Sequence, residues 1–166
     1  DRGIAYIRKT QEADGSWYGR WGVGYLYGTF LSLRGLQAAA VSDREPGIQR
    51  ALEWIRAYQN ADGGWGESCS SYDNSTFTPG PSTPSQTAWA VLGLLAGGDT
   101  RSISLHKAVE YLIESQRSDG TWDEEYATGT GFPKVFYLTY TDYRNTFPLL
   151  ALATFVKAKI ALREDL

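Results

Sequence analysis

The stretch RALEWIRAYQNADGGW, Arg50 to Trp65, occurs twice more in altered form. The other copies are RGIAYIRKTQEADGSW, Arg2 to Trp17, and KAVEYLIESQRSDGTW, Lys107 to Trp122. The three align without gaps. A basic residue opens each (Arg2, Arg50, Lys107), and a ring follows on the next turn (Tyr6, Trp54, Tyr111). A Gln comes next (Gln11, Gln59, Gln116), and each copy closes on Asp-Gly-x-Trp at Trp17, Trp65 and Trp122. So many matched columns mark an internal repeat. Around the middle copy Ile48, Ala51, Leu52 and Ile55 fall at i, i+3, i+4 and i+7, the stripe of a helix packed on one side. Asp-Gly then stops the helix, because Gly takes positive φ freely. The Gln amide both donates and accepts, so it suits tying a helix end to a neighbouring backbone while the Trp packs over it. These Gln and Trp residues read as structural staples, not catalysts.

Between the repeats lie helices of another kind. GTFLSLRGLQAAAV and TPSQTAWAVLGLLAGG are apolar nearly all round, as buried helices are. The second starts with Thr83 as N-cap and Pro84 at the first helical position, and ends at Gly97-Gly98. A third is expected from Phe147 through PLLALATFVKAKIALRE. Amphipathic helices alternating with apolar ones predict an all-α fold in which outer helices shield inner ones, an α/α toroid or part of one. KVFYLTYT is the one serious strand candidate, and it reads as a loop leading into a helix.

A length of 166 residues suits one domain, expected to span 1–166. A net charge of −3 argues against a nucleic-acid partner. The single Cys69 excludes an internal disulfide and fits a reducing compartment. No unbroken apolar run reaches the roughly 18 residues of a membrane span, and no signal peptide is visible. The absence of Met and the helical opening DRGIAYIRK suggest a fragment or processed product.

The stretch TGTGFPKVFYLTYTDYRNTFP, Thr128 to Pro148, holds six aromatic residues broken by Gly and Pro. The rings are either core or the lining of a cavity. Here the residues become familiar. The Q-x-x-D-G-x-W repeats resemble the QW motifs of triterpene cyclases. With them, DGSWYGRWGVGYLYGT, NADGGWGESCSSY, STPSQTAWAVLGLLAGG and GTGFPKVFYLTYTDYRNTFP are similar to the C-terminal part of bacterial squalene-hopene cyclases. The resemblance covers almost the whole chain. Gly24 departs from it, standing where those cyclases usually carry Asn.

The resemblance implies protonation of a squalene-like polyprenyl substrate by an Asp-x-Asp-Asp acid, then ring closure through carbocations in a dry aromatic pocket. Phe132, Phe136, Tyr140 and Tyr143 match pocket positions facing the later cations, and their spacing would place them along one face of a helical stretch. Trp21 matches a further ring wall. Tyr27 matches a tyrosine near the proton-donor region. Tyr25 and Trp89 read as packing.

The acid motif itself is absent from residues 1–166, where no two aspartates are adjacent. No catalytic residue is therefore expected here. The chain is expected to be inactive alone and to complement an upstream cyclase segment. WDEEY reads as a solvated turn and helix start, Cys69 as a small buried hydrophobe, and His106 as a surface or satisfied structural histidine. No metal or cofactor is expected; one Cys and one His on different repeats make no zinc cluster. A glycosidase would need a facing carboxylate pair, and nothing selects one among Glu67, Asp73, Asp123 and Glu124. The non-enzymatic alternative is a QW-repeat scaffold or apolar-ligand binder. Exposed inner helices would favour a homo-oligomer. By resemblance the parent is a bacterial monotopic protein on the cytoplasmic face of the inner membrane, and this stretch of it is soluble.

Overall fold

A computed structural model describes residues 2–164. Three outer helices are α1 (Arg2–Lys9), α3 (Pro46–Ala57) and α6 (Ile103–Glu114). Three inner helices are α2 (Gly24–Ala38), α5 (Pro84–Ala96) and α7 (Tyr143–Glu164). The short α4 (Ser70–Asn74) lies between α3 and α5 in sequence. Helix α5 is the centre: α2 and α7 flank it, and α6 and α3 pack over it. Every one of its residues is buried. Outer helices α3 and α6 bury one stripe each, Ile48, Ala51, Leu52, Trp54 and Ile55 on α3, and Leu105, Ala108, Val109 and Leu112 on α6, while α1 only half-buries Ile4 and Ile7 against the core. This is the two-layer α/α arrangement of a toroid, as the patterning predicts.

The caps are local. Thr83 Oγ1 accepts from Gln86 N–H at the start of α5, and Ser102 Oγ from Leu105 N–H at the start of α6. Such caps contribute about 1 kcal/mol each. At the end of α5, Gly98 takes φ +87.

The repeat turns are one structure written three times. Gly15, Gly63 and Gly120 all take positive φ. The Trp indole N–H donates back to the helix ten residues earlier: Trp17 to Ile7 O at 2.7 Å, Trp65 to Ile55 O at 2.8 Å, Trp122 to Leu112 O at 2.8 Å. The Trp main-chain N–H donates to an inner helix, to Thr29 Oγ1, Thr87 Oγ1 and Asn145 Oδ1 respectively. Gln11, Gln59 and Gln116 donate to the carbonyls of Gly15, Gly63 and Gly120. Each turn thus ties an outer helix to an inner one, with its polar groups paired as burial requires.

Two expectations fail in the Thr128–Pro148 stretch. Gly129–Phe132 forms β1, paired antiparallel with β2 (Phe136–Leu138), in place of a loop running into a helix. Pro133, Lys134 and Val135 make the turn, with Lys134 at φ +68 and Val135 N–H donating to Phe132 O. Pro presets the first turn position and breaks any helix through it. Thr130 Oγ1 donates across the pair to Phe136 O. Second, α7 starts at Tyr143 instead of Phe147, so Pro148 lies inside it. Its first turn is held by Asn145 and Thr146 N–H donating to Asp142 O, and Pro148 forfeits one later bond.

By length and composition alone, Tyr143–Leu162 is apolar enough to cross a membrane. That corrects the expectation of no such segment. Lys157 and Lys159 interrupt the apolar run but do not lower its average enough.

Candidate functional site

The rings singled out in the sequence fall into three groups. Tyr27 on α2 and Tyr143 at the start of α7 meet through Trp89 of α5. Trp89 stands 4.9 Å from Tyr27, 6.2 Å from Tyr143 and 5.6 Å from Phe147, all edge to face. Phe30 extends the cluster, and Tyr140 lies 4.7 Å from Tyr143. Trp89 is fully buried, as a core residue, yet its indole N–H has no hydrogen-bond partner. An N–H surrounded by rings has only their π faces to meet. Burial raises the Tyr143 phenol above its usual range, and neighbouring Tyr27 and Tyr140 add to it.

Phe132 and Phe136 form the second group. They face each other across the hairpin at 5.8 Å, which corrects the expected single helical face. A period of four residues mimics a helix, but here it spans the three-residue turn Pro133–Val135. The glycines of β1 make room for rings: Phe136 lies over Gly131 and Tyr140 over Gly129, where any Cβ would collide. Phe132 is 56% exposed and Phe136 45%, so neither is buried core of this chain. Trp21 stands apart, 50% exposed, with the Arg20 guanidinium 5.0 Å over its ring. Tyr25 is buried and edge-on to Tyr18, which is packing.

Two buried carboxylates escaped the sequence reading. Glu67 accepts from the main-chain N–H groups of Tyr25 (2.9 Å) and Leu26 (2.8 Å), at the start of α2. Glu124 accepts from Ser85 N–H (2.9 Å) and Ser85 Oγ (3.0 Å) at the start of α5, and from Thr128 Oγ1. Each stands two residues past a repeat Trp, and each caps the inner helix of the preceding repeat. Glu124 is therefore not part of a solvated turn, as WDEEY suggested. Its neighbour Asp123 is exposed and pairs with Arg117. The shared offset was visible in the sequence, but no local pattern names a helix start some 40 residues away. Burial drives the Glu67 carboxyl up to about 8, against the opposing pull of the Leu26 and Tyr25 N–H groups and Ser71.

Beside Glu67, a cleft of about 240 Å³ is lined by Cys69, Gly80, Pro81 and Tyr126. Cys69 is only half-buried, not a fully buried hydrophobe, and its Sγ lies 3.7 Å from Ala127 O. Burial and then Glu67 push its thiol up, away from nucleophilic use. His106 rests on the surface, with Nδ1 2.8 Å from Ser102 O, Nε2 3.1 Å from Lys159 Nζ, and its ring edge-on to Phe155.

Rings gathered on Trp89 and on the hairpin suit an apolar or cationic guest. The family described as "Squalene-hopene cyclase C-terminal domain" matches residues 1–157. A probable squalene–hopene cyclase of Sinorhizobium fredii is 51% identical over 155 residues, 92% of this chain and 24% of that protein. The squalene–hopene cyclase of Alicyclobacillus acidocaldarius is 53% identical over 95% of this chain and 25% of its own length. Dammaradiene synthase of Dryopteris crassirhizoma is 43% identical, over 93% and 25%. The chain thus spans about a quarter of the curated relatives it matches. Among solved structures, the apo type II terpene cyclase MstE of Scytonema superposes with a TM-score of 0.66 at 20% identity, over 93% of this chain and 49% of that one. That likeness concerns the fold.

Proposed function

Because the chain belongs to the squalene-hopene cyclase C-terminal domain family, we propose that it is the cation-stabilising part of a cyclase acting on a squalene-like polyprenyl substrate. The observation that carries this is the pair of ring groups, Tyr140, Tyr143 and Tyr27 gathered on Trp89 and Phe132 with Phe136 on the hairpin, whose Tyr140 and Phe136 rings sit over Gly129 and Gly131 of one strand.

A polyene cascade moves positive charge along carbon. Lone pairs would capture such a cation, whereas ring faces offer negative quadrupole without a bond-forming pair. Each face contributes about 0.5–1 kcal/mol when exposed and about 2 or more once dry. Donors held in place before charge develops act without reorganising, and excluding water keeps the cation alive. Phe132 and Phe136, on a hairpin where the Phe136 ring is seated over Gly131, present such faces. Tyr143 and Tyr27 are braced by Trp89. Trp21 adds a wall from the start of α2.

The initiating acid lies outside residues 1–166 in this reading, which makes the chain inactive by itself. The test is product analysis of squalene incubations by gas chromatography–mass spectrometry. The chain is assayed alone and co-expressed with the remaining three quarters of the Alicyclobacillus relative. Cyclic product from the pair only is the expected result. Product from the chain alone, or none from a pair that co-purifies, refutes it.

A further inference from the structure

Glu67 and Glu124 hold equivalent places in two repeats, and their hydrogen bonds differ in one respect. Glu67 turns both oxygens to the first turn of α2, to the N–H groups of Tyr25 and Leu26. Glu124 Oε2 accepts from Ser85 N–H at 2.9 Å and Oε1 from Ser85 Oγ at 3.0 Å, which already caps α5. Oε1 accepts one bond more, from Thr128 Oγ1 at 3.0 Å, and Thr128 is the residue before β1. A cap has no need of that bond. Glu124 is 8% exposed, and Ser85 and Thr128 are fully buried. The three bonds therefore form away from water, where an unmet polar group is costly.

Each end of this bridge leads to rings. Ser85 lies one helical turn before Trp89, the indole on which Tyr27, Tyr143 and Phe147 gather. Thr128 leads into Gly129, over which the Tyr140 ring lies, and Tyr140 is 4.7 Å from Tyr143. Thr130 follows, buried, with its hydroxyl closing the hairpin onto Phe136 O at 3.0 Å. The other polar ties at the hairpin base are longer. Tyr137 OH donates to Cys69 O at 3.4 Å, and Cys69 Sγ stands 3.7 Å from Ala127 O. The Tyr137 ring also stacks on Tyr72 at 5.8 Å. Toward the tip Phe132, Lys134, Val135 and Phe136 are all exposed, so the direction of the hairpin is set at its base.

We infer that Glu124 is a positioning residue: by bridging Ser85 and Thr128 it sets the hairpin that carries Phe132 and Phe136 against the rings gathered on Trp89. Its consequence for cation stabilisation rests on the cyclase reading above, whereas the bridge itself does not. A ring face acts on a cation only within about 6 Å of its centroid, so a hairpin that swings at its base carries both rings out of reach. Three variants separate positioning from capping. Thr128→Val keeps the shape of the side chain and removes only the bond to the hairpin. Glu124→Gln keeps all three bonds: its amide oxygen takes the Ser85 N–H, and its amide nitrogen donates to the two hydroxyls, which accept as readily as they donate. Glu124→Ala removes all three.

Backbone 15N order parameters are measured on the labelled chain. In Thr128→Val those of β1 and β2 are expected to fall from the rigid value of about 0.85 toward the flexible value of about 0.6, while α5 stays rigid. Glu124→Gln is expected to match the wild type, and Glu124→Ala to loosen both the hairpin and the first turn of α5. In the reconstituted cyclase, Thr128→Val is expected to raise the share of incompletely cyclised product several-fold at unchanged KM, because the rings act on the transition state and not on substrate binding. Glu124→Gln should keep the wild-type product pattern. An unchanged hairpin in Thr128→Val overturns the inference, and so does equal loosening of α5, which would leave Glu124 a cap only. A loosened hairpin with an unchanged product pattern overturns the catalytic part. No cyclic product from the wild-type pair refutes the cyclase reading instead, and the order parameters alone then decide the bridge.

Discussion

Replacing Glu67 by Gln should change how stability depends on pH more than it changes stability at any one pH. Glu67 is 4% exposed and spans the first turn of α2 with both oxygens. Burial raises its carboxyl from 4.5 to about 8, outweighing the N–H groups that favour the ion. A carboxyl raised on folding stabilises fully below its unfolded value, and that stability is lost as pH rises through the folded one. The window is therefore about pH 4.5 to 8. Across it the native state releases its proton later than the unfolded chain, so stability falls by about 1.4 kcal/mol per pH unit. For a domain of this size that is roughly 4 °C of Tm per unit. The nearby titratable groups, Tyr18, Tyr25, Tyr72 and Cys69, are all pushed upward and do not ionise inside the window. Gln keeps the shape and one acceptor but leaves one N–H facing an amide donor, a pH-independent loss of about 1–3 kcal/mol. Thermal melts of both proteins at pH 5, 6, 7 and 8 should show the wild type losing its advantage steadily with pH. A Tm difference constant from pH 5 to 8, or one that grows toward pH 8, would refute the reasoning.

Three further outcomes are expected. Gln59→Ala, which breaks two backbone bonds, should destabilise the chain by about 2 kcal/mol, and Gln116→Ala by less than about 1, as read by urea midpoints. Trp89→Ala should cost about 3–5 kcal/mol, whereas Trp89→Phe should cost under about 1.5, because the lost N–H has no partner. In a reconstituted cyclase, Phe136→Ala should lower kcat about tenfold, from roughly 1.4 kcal/mol of lost ring stabilisation, while Tm moves little because the ring is half exposed.

What residues 1–166 declare by themselves is what depends on near neighbours. The repeat stops the outer helices at Asp-Gly turns, Thr83 and Pro84 start α5, and the all-apolar stretches name the inner layer. These signals act within one or two helical turns, so they survive in the linear text. The packed structure decided the rest, because the partners lie far along the chain. Phe132, Phe136 and Tyr140 keep helical spacing, yet Pro133 turns the backbone and a strand forms once Thr130 is opposed to Tyr137 and its hydroxyl meets Phe136 O. Tyr143 starts α7 four residues early because Asp142 offers its carbonyl to the first turn. Glu67 and Glu124 look like any surface acids, and only folding carries them to helix starts 42 and 39 residues away. A buried carboxylate or a strand exists only with its partner, and nothing beside it in the sequence names that partner.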